Sequence, residues 1–339
     1  MHGVTTNRSI KAGVYAPICT FFHPETEDLD LASFEKHILL AAKAGVGILI
    51  AGSNGEATHL SHTERTTLIR TARRVLDNAQ LIDVPIIAGT GAGSTRETVE
   101  LCREAAEAGA DVAIVITSGY FAGVLAGNSK ALKAWYVKVA DQSPIPILLY
   151  NYPGASGGID LDSDLITDLA RTHSNIIGVK LTCGNVGKLT RICSTTSQES
   201  FITAYPREGT EEPFLVLGGF SDILLTSLYA NGHGVITGLG NVTPYSIAKL
   251  YEVGTASLKD PSQLSEAQRL QGIVGRADWT VANAGVAGTK YLIQRLYGYG
   301  GDPRSPLPPI DPDVAEALWN HPHVQEIVAL ERSLSGGSQ

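Results

Sequence analysis

Apolar runs and amphipathic stretches alternate along most of this chain. The apolar runs fall at residues 13–22, 45–51, 84–89, 111–117, 146–150, 175–180, 201–204 and 234–238. They are continuous Val/Ile/Leu segments rather than apolar–polar alternations, which is the pattern of strands buried on both faces of a parallel sheet. Between them, residues 31–44, 63–76, 95–108, 130–141, 161–171, 186–195, 221–230 and 244–253 carry apolar positions at helical spacing. Ser61 with Glu64, and Ser94 with Glu97, have the spacing of capping boxes at two helix starts. Gly45 and Gly109 stand where two of these helices should stop. Eight strand–helix units within residues 11–254 predict an α/β fold, a (β/α)8 barrel, in preference to an open doubly wound sheet. Beyond residue 254 the strands cease. Residues 262–278, 281–296 and 311–334 read as helices, so 255–335 is expected to be a C-terminal helical extension packed on the barrel, with 336–339 a loose tail.

The strand ends carry the chemistry. The segment Asn175-Ile176-Ile177-Gly178-Val179-Lys180 ends in an amine, Pro146-Ile147-Leu148-Leu149-Tyr150 ends in a phenol, and 45–51 runs into Gly52-Ser53-Asn54-Gly55-Glu56. Barrel enzymes place their reacting groups at the C-terminal ends of strands. An amine carried toward low dielectric has its charged form disfavoured, and a neutral amine attacks a carbonyl carbon. Taken singly, Lys180 could snorkel out of a strand end, Tyr150 could be a half-buried core phenol, and Ser53 and Asn54 could cap the next segment. Taken together at one mouth they supply a nucleophile, a proton carrier and a hydroxyl for a relay or for holding an anion.

Composition narrows the field. The chain has 339 residues, 43% hydrophobic and 18% charged, with a net charge of −8 and a pI near 5.6. No basic cluster stands out, so nucleic acid is not an expected partner. No apolar run approaches the roughly 20 residues needed to span a bilayer, and residues 1–11 do not read as a leader. The four cysteines, at 19, 102, 183 and 193, lack zinc spacing and read as free thiols, which points to the cytoplasm. The sequons at Asn7 and Asn241 are then without meaning. The loop Gly89-Thr90-Gly91-Ala92-Gly93-Ser94 fails the dinucleotide pattern, because Ser94 stands at the third glycine. It reads as a strand-to-helix turn. The nine histidines show no metal-binding spacing.

These motifs resemble the pyruvate-dependent class I aldolase family of dihydrodipicolinate synthase and N-acetylneuraminate lyase over residues 11–310. Gly52-Ser53-Asn54-Gly55-Glu56 resembles its G-[ST]-x-G-E signature, Tyr150-Asn151-Tyr152-Pro153 its Y-N-x-P motif, and Gly178-Val179-Lys180 the strand that ends in its Schiff-base lysine. Thr117-Ser118-Gly119-Tyr120, Gly232-His233-Gly234-Val235-Ile236 and Arg304-Ser305-Pro306-Leu307 fit further family positions. The resemblance implies that Lys180 forms an imine with the ketone of a small 2-oxo acid, that Tyr150 moves protons, and that Ser53 links Tyr150 to Tyr120 in a hydroxyl relay. In the family the Tyr120 position is lent by a neighbouring subunit, so a homo-oligomer is implied, a tetramer built as a dimer of dimers. Ser53 and Asn54 would hold the pyruvate carboxylate. Thr182, Ile236, Ser221 and Asp222 would contact the rest of the substrate, with Asp222 accepting from hydroxyls of a polyol tail. No metal or organic cofactor is expected, since the imine on Lys180 is itself the electron sink.

Departures within the resemblance point to the substrate. Where the synthase carries an arginine two residues after Y-N-x-P, this chain has Ala155, which removes a bidentate carboxylate clamp. Leu181-Thr182 and the run Tyr150–Gly157 are closer to the lyase. The stretches 139–146 and 297–301, with Ser53-Asn54, resemble the 4-hydroxy-2-oxoglutarate aldolase branch. The expected activity is cleavage of a 4-hydroxy-2-oxo acid, either 4-hydroxy-2-oxoglutarate or a 2-keto-3-deoxy sugar acid, to pyruvate and an aldehyde. The alternatives are condensation of pyruvate with aspartate semialdehyde, as in dihydrodipicolinate synthase, and a non-catalytic binding protein on the same scaffold.

Overall fold

The computed structural model describes residues 8–336. Residues 1–7, with the Asn7 sequon and most of the segment read as leaderless, and 337–339 of the tail lie outside the described residues. Eight parallel strands close into a barrel in sequential order: β1 Gly13–Pro17, β2 Gly47–Ile50, β3 Ile86–Gly89, β4 Val112–Ile116, β5 Ile147–Asn151, β6 Ile176–Leu181, β7 Leu215–Gly218 and β8 Gly234–Ile236. Around them run helices α1 Leu31–Lys43, α2 His62–Asn78, α3 Thr95–Ala108, α4 Ala122–Leu125, α5 Ser129–Gln142, α6 Ser163–Thr172, α7 Val186–Thr196, α8 Glu199–Ala204, α9 Leu224–Tyr229 and α10 Pro244–Ser257. The extension contributes α11 Leu264–Asn283, α12 Gly285–Tyr297, α13 Pro312–Trp319 and α14 Pro322–Leu334.

Strand positions sort by face. Tyr15, Leu49, Ile87, Ile114, Leu148, Tyr150, Leu217 and Ile236 fill the barrel interior with Ile10. The intervening residues, such as Ile48, Ile50 and Val235, pack outward against the helices. That outer core is continuous with Val274, Ala277 and Val281 of α11 and Leu292 and Ile293 of α12, so the extension shares one core with the barrel. Two glycines permit the barrel to close. A Cβ on Gly89 would come within 1.9 Å of the Ala51 carbonyl oxygen, and Gly234, at φ +131°, would meet Gly13 O at 1.8 Å. Both backbones approach too closely for any side chain.

One predicted strand is wrong. Residues 201–204 form α8, and the seventh strand is Leu215–Gly218. A barrel strand must be buried on both faces, and all four residues of β7 are. By contrast Phe201 alone is buried in α8 and Ile202 is 39% exposed. Intrinsic β-propensity suggested 201–204, and burial decided against it. The turn at 89–94 behaves as expected: β3 ends at Gly89, and Ser94 caps α3 by accepting from the Glu97 N–H. Ser61 and Glu64 form the expected reciprocal box. The Asn241 sequon is interior: its Oδ1 accepts from Cys19 N, and its Nδ2 donates to the carbonyls of Pro17 and Gly238.

A buried ion pair fastens the extension to the barrel. Lys290 Nζ of α12 lies 2.7 Å from Glu56 Oε1, and both side chains are fully enclosed. Lys290 also donates to the Asp302 carbonyl. Glu56 Oε2 accepts from the backbone N–H of Arg304 at 2.8 Å and contacts His59 Nδ1 at 3.1 Å. Arg304 reaches Glu64 on α2 at 2.6 Å, and both Lys290 and Arg304 lie over the Phe22 ring. Removing one partner of such a pair strands the other charge in the interior. Lys290→Met is therefore expected to lower the free energy of unfolding by about 3–5 kcal/mol, while Glu56→Gln/Lys290→Met recovers much of that loss. Urea titration of the three proteins checks this.

Candidate active site

β5 and β6 are register partners at Tyr150 and Lys180, so the two side chains leave adjacent strands on the same face. Lys180 Nζ lies 3.4 Å from the Tyr150 hydroxyl and 4.4 Å from its ring centroid. The Tyr150 hydroxyl is 3.2 Å from Ser53 Oγ. Ser53 reaches this point because the chain after β2 turns sharply: Ala51 and Glu56 both adopt left-handed backbone, each at φ +53°. Two such non-glycine residues five positions apart are costly on their own and persist because their surroundings fix them. Lys180 and Tyr150 are buried, at 4% and 5% exposure. The expected amine, phenol and hydroxyl thus form one connected chain.

Two cavities open from this chain, sharing Ser53, Tyr150 and Lys180. The inner one, about 240 Å³, is lined by Leu49, Gly91, Ile116, Ala155 and Arg65 among others. The outer one, about 580 Å³, runs along Asn54, Tyr152, Thr182, Asp222, Asp278 and Trp279. Ala155 therefore does stand at the cavity, with no guanidinium of its own. Arg65 approaches from α2, yet it donates to the carbonyls of Leu60, Gly89 and Ala57.

The other expected residues divide. Asn54, Thr182 and Asp222 line the outer cavity. Ile236 does not; it is fully buried in the barrel interior. Ser221 does not either: it is fully buried, its N–H donates to Asp278 Oδ2 at 2.6 Å, and its hydroxyl accepts from Thr237. Tyr120 is 90% exposed and lines neither cavity; with Phe121 and Val124 it forms an apolar cluster on the surface. Among the described residues no group of three or more His, Cys, Asp or Glu is placed to hold a metal ion.

Asp278, Trp279, Tyr152 and Arg65 were missed in the sequence. Asp278 had a signal: an aspartate between Val274, Ala277 and Val281 sits on the apolar face of an amphipathic helix, where a charge needs a reason. It accepts from the N–H groups of Ser221 and Asp222 at 2.6 and 3.2 Å. Burial, then the nearby Asp222 charge, pushes its carboxyl up to about 6. Burial also raises Asp222. Because the folded state binds this proton more tightly than the unfolded state, Asp278 favours folding at low pH. That contribution should fade as pH rises from about 4 through about 6. The difference in midpoint between wild type and Asp278→Asn, followed by thermal melts across that window, is expected to shift in favour of the variant as pH increases.

The Dihydrodipicolinate synthetase family profile matches residues 11–321. The chain is 42% identical over 335 residues to the L-threo-3-deoxy-hexylosonate aldolase of Aspergillus niger, covering 96% of this chain and 97% of the relative. It is also 42% identical over 329 residues to a protein of Emericella nidulans named "Probable 4-hydroxy-2-oxoglutarate aldolase, mitochondrial", covering 97% and 98%. Among solved structures, a dihydrodipicolinate synthase family protein from Coccidioides immitis superposes with a TM-score of 0.79 at 34% identity, over 96% of this chain and 99% of that one. The Escherichia coli K12 prophage protein YagE, solved with pyruvate, gives a TM-score of 0.76 at 28% identity over 96% and 99%. With its profile spanning barrel and extension alike, this chain belongs to the dihydrodipicolinate synthetase family.

Proposed function

We propose that the protein is a class I aldolase that cleaves a 4-hydroxy-2-oxo acid to pyruvate and an aldehyde. The observation that carries this is the enclosed Lys180–Tyr150–Ser53 chain at the barrel mouth. Lys180 Nζ attacks the C2 ketone, and the carbinolamine loses water to give an imine. Tyr150, within reach of both the amine and Ser53, delivers and removes the protons of those steps. When the C4 hydroxyl gives up its proton, the C3–C4 electron pair flows into the protonated imine. The aldehyde leaves and an enamine remains. Protonation at C3 and hydrolysis then release pyruvate and free Lys180.

Names of relatives support the same chemistry: both fungal proteins are called aldolases. The synthase alternative is less well supported, because Ala155 stands at the inner cavity where a clamp for the second carboxylate would be needed. The imine supplies the electron sink, so this chemistry calls for no further cofactor. Tyr120 completes the proton relay from a neighbouring copy, which the exposed Tyr120–Phe121–Val124 cluster would join, within a tetramer. The compartment we propose is the cytoplasm; cell fractionation separates it from the mitochondrial location in the Emericella relative's name.

Borohydride reduction in the presence of pyruvate should add one reduced pyruvyl group to Lys180 and none to Lys180→Ala, as read by peptide mass. An unmodified wild-type Lys180 would sink the aldolase reading. Tyr150→Phe should lose about 10²–10⁴-fold in kcat with a much smaller change in KM, since the phenol moves protons and is not the main source of affinity. Tyr120→Phe should lower kcat while leaving the melting temperature of the assembly nearly unchanged, because its ring has little packing within its own chain. Steady-state pyruvate release and calorimetry measure both.

A further inference from the structure

A groove on the outside of the barrel shares no lining residue with the two cavities at Lys180. The chain of α1, the start of α10 and the end of α12 form it, and Lys36, Lys43, Leu40, Tyr245, Tyr297 and Tyr299 are among the residues around its volume of about 520 Å³. A smaller cavity of about 110 Å³ continues it past Tyr245 and Tyr297 to Arg332 of α14. Volumes of this size hold small organic ligands. The floor is aromatic. The Tyr297 and Tyr299 rings stand nearly parallel, with centroids 6.2 Å apart and 26° between their planes. Their hydroxyls are engaged inside the protein: Tyr297 donates to the Val242 carbonyl at 2.8 Å, and the Tyr299 hydroxyl lies 3.2 Å from His37 Nδ1. What these two residues offer the groove is therefore ring surface.

The rim is cationic. Lys36 and Lys43 are exposed on α1, two turns and about 10 Å apart along its axis. Arg332 is exposed in the last turn of α14. None of the three has a carboxylate partner among the described residues, whereas nearby cations do: Arg74 pairs with Glu35, and Lys249 with Glu252. Lys36 Nζ instead lies over the Tyr299 ring, 6.0 Å from its centroid. The carboxylate at the smaller cavity, Glu331, is turned inward. It is 4% exposed, and its oxygens accept from Tyr245 N, Ser246 N and the Ser246 hydroxyl. In a chain of net charge −8, three unpaired cations beside an aromatic floor are complementary to an anion with a flat ring. A lone carboxylate would use one of these charges, and its best clamp is a guanidinium fork. Lysine ammoniums are point charges suited to phosphate oxygens, and several of them suit a chain of phosphates. A planar base stacks on aromatic side chains.

We infer that this groove is a binding site for a nucleoside polyphosphate, with the base against the tyrosine floor and the phosphates among Lys36, Lys43 and Arg332. The site is independent of the chemistry at Lys180, so the failure of either reading leaves the other standing.

The test is isothermal titration calorimetry of the full chain with ATP, adenosine and inorganic tripolyphosphate, on wild type and on Lys36→Gln/Lys43→Gln. Wild type should bind ATP with a Kd of about 1–100 μM. Adenosine and tripolyphosphate should each bind at least about tenfold more weakly, since each keeps one half of the ligand. The double variant should lose about tenfold or more for ATP. Its melting temperature and its borohydride trapping of pyruvate on Lys180 should match wild type, because both lysines are exposed and lie outside the barrel mouth. A wild type that does not saturate with ATP by about 1 mM overturns the inference. So does a loss smaller than about tenfold in the double variant. Tripolyphosphate binding within about tenfold of ATP overturns it too, since charge alone would then account for the affinity. A wild type that binds phosphatidylserine vesicles and no ATP gives the groove to a lipid headgroup instead.

Discussion

The enclosed contact between Glu56 and Lys290 is the constraint on which the mouth of this barrel depends. Glu56 ends the segment that begins at Gly52, and its backbone is left-handed, as is that of Ala51. Between these two unfavourable conformations lie Ser53 and Asn54. A free loop would relax them. The carboxylate is held by an amine from α12, by a backbone N–H from the chain beyond it, and by His59. Helices packed on the outside of the barrel thus decide where a hydroxyl at its centre points.

That hydroxyl matters because of its neighbours. Parallel pairing of β5 with β6 puts Tyr150 beside Lys180 by register alone. Register cannot bring Ser53 to the same phenol; it comes from β2, across the barrel mouth. Two members of the chain are therefore set by the sheet and the third by the loop that Glu56 anchors. The extension also lends α11 to the outer cavity, with Asp278 and Trp279. Its helices thus hold the loop that carries Ser53 and form one wall of the outer cavity.

Much of this was legible in the sequence, for identifiable reasons. Strands buried on both faces are continuous apolar runs, so seven of the eight were found, and their polar ends identified Lys180, Tyr150 and Ser53. The seventh was misplaced because Phe201-Ile202-Thr203 has the composition of a strand, and only the closed barrel shows which segment is enclosed. Of the residues expected to contact substrate, Thr182 and Asp222 line the outer cavity and Ser221 and Ile236 do not, since whether a residue near a strand end faces the mouth or the interior depends on the strand's final rotation. Asp278 and Lys290 escaped because each acts on a partner far along the chain: Lys290 meets Glu56 across 234 positions and Asp278 meets Ser221 across 57. Single-chain patterns carry local periodicity and say little about such pairings. An ionisable residue on the apolar face of a helix is the trace they leave.

The interior Asn241 amide has a consequence for the history of the chain. Its nitrogen ties the loop after β8 to the Pro17 carbonyl of β1 and to the Gly238 carbonyl within that loop, and its oxygen receives His37 and Cys19. The tripeptide Asn241-Val242-Thr243 is nevertheless a valid acceptor for a glycan wherever oligosaccharyltransferase meets an unfolded chain. A sugar on that nitrogen would remove one of its two donors and could not be enclosed. The final turn of the barrel can be completed only by a polypeptide whose amide stays bare until folding has hidden it.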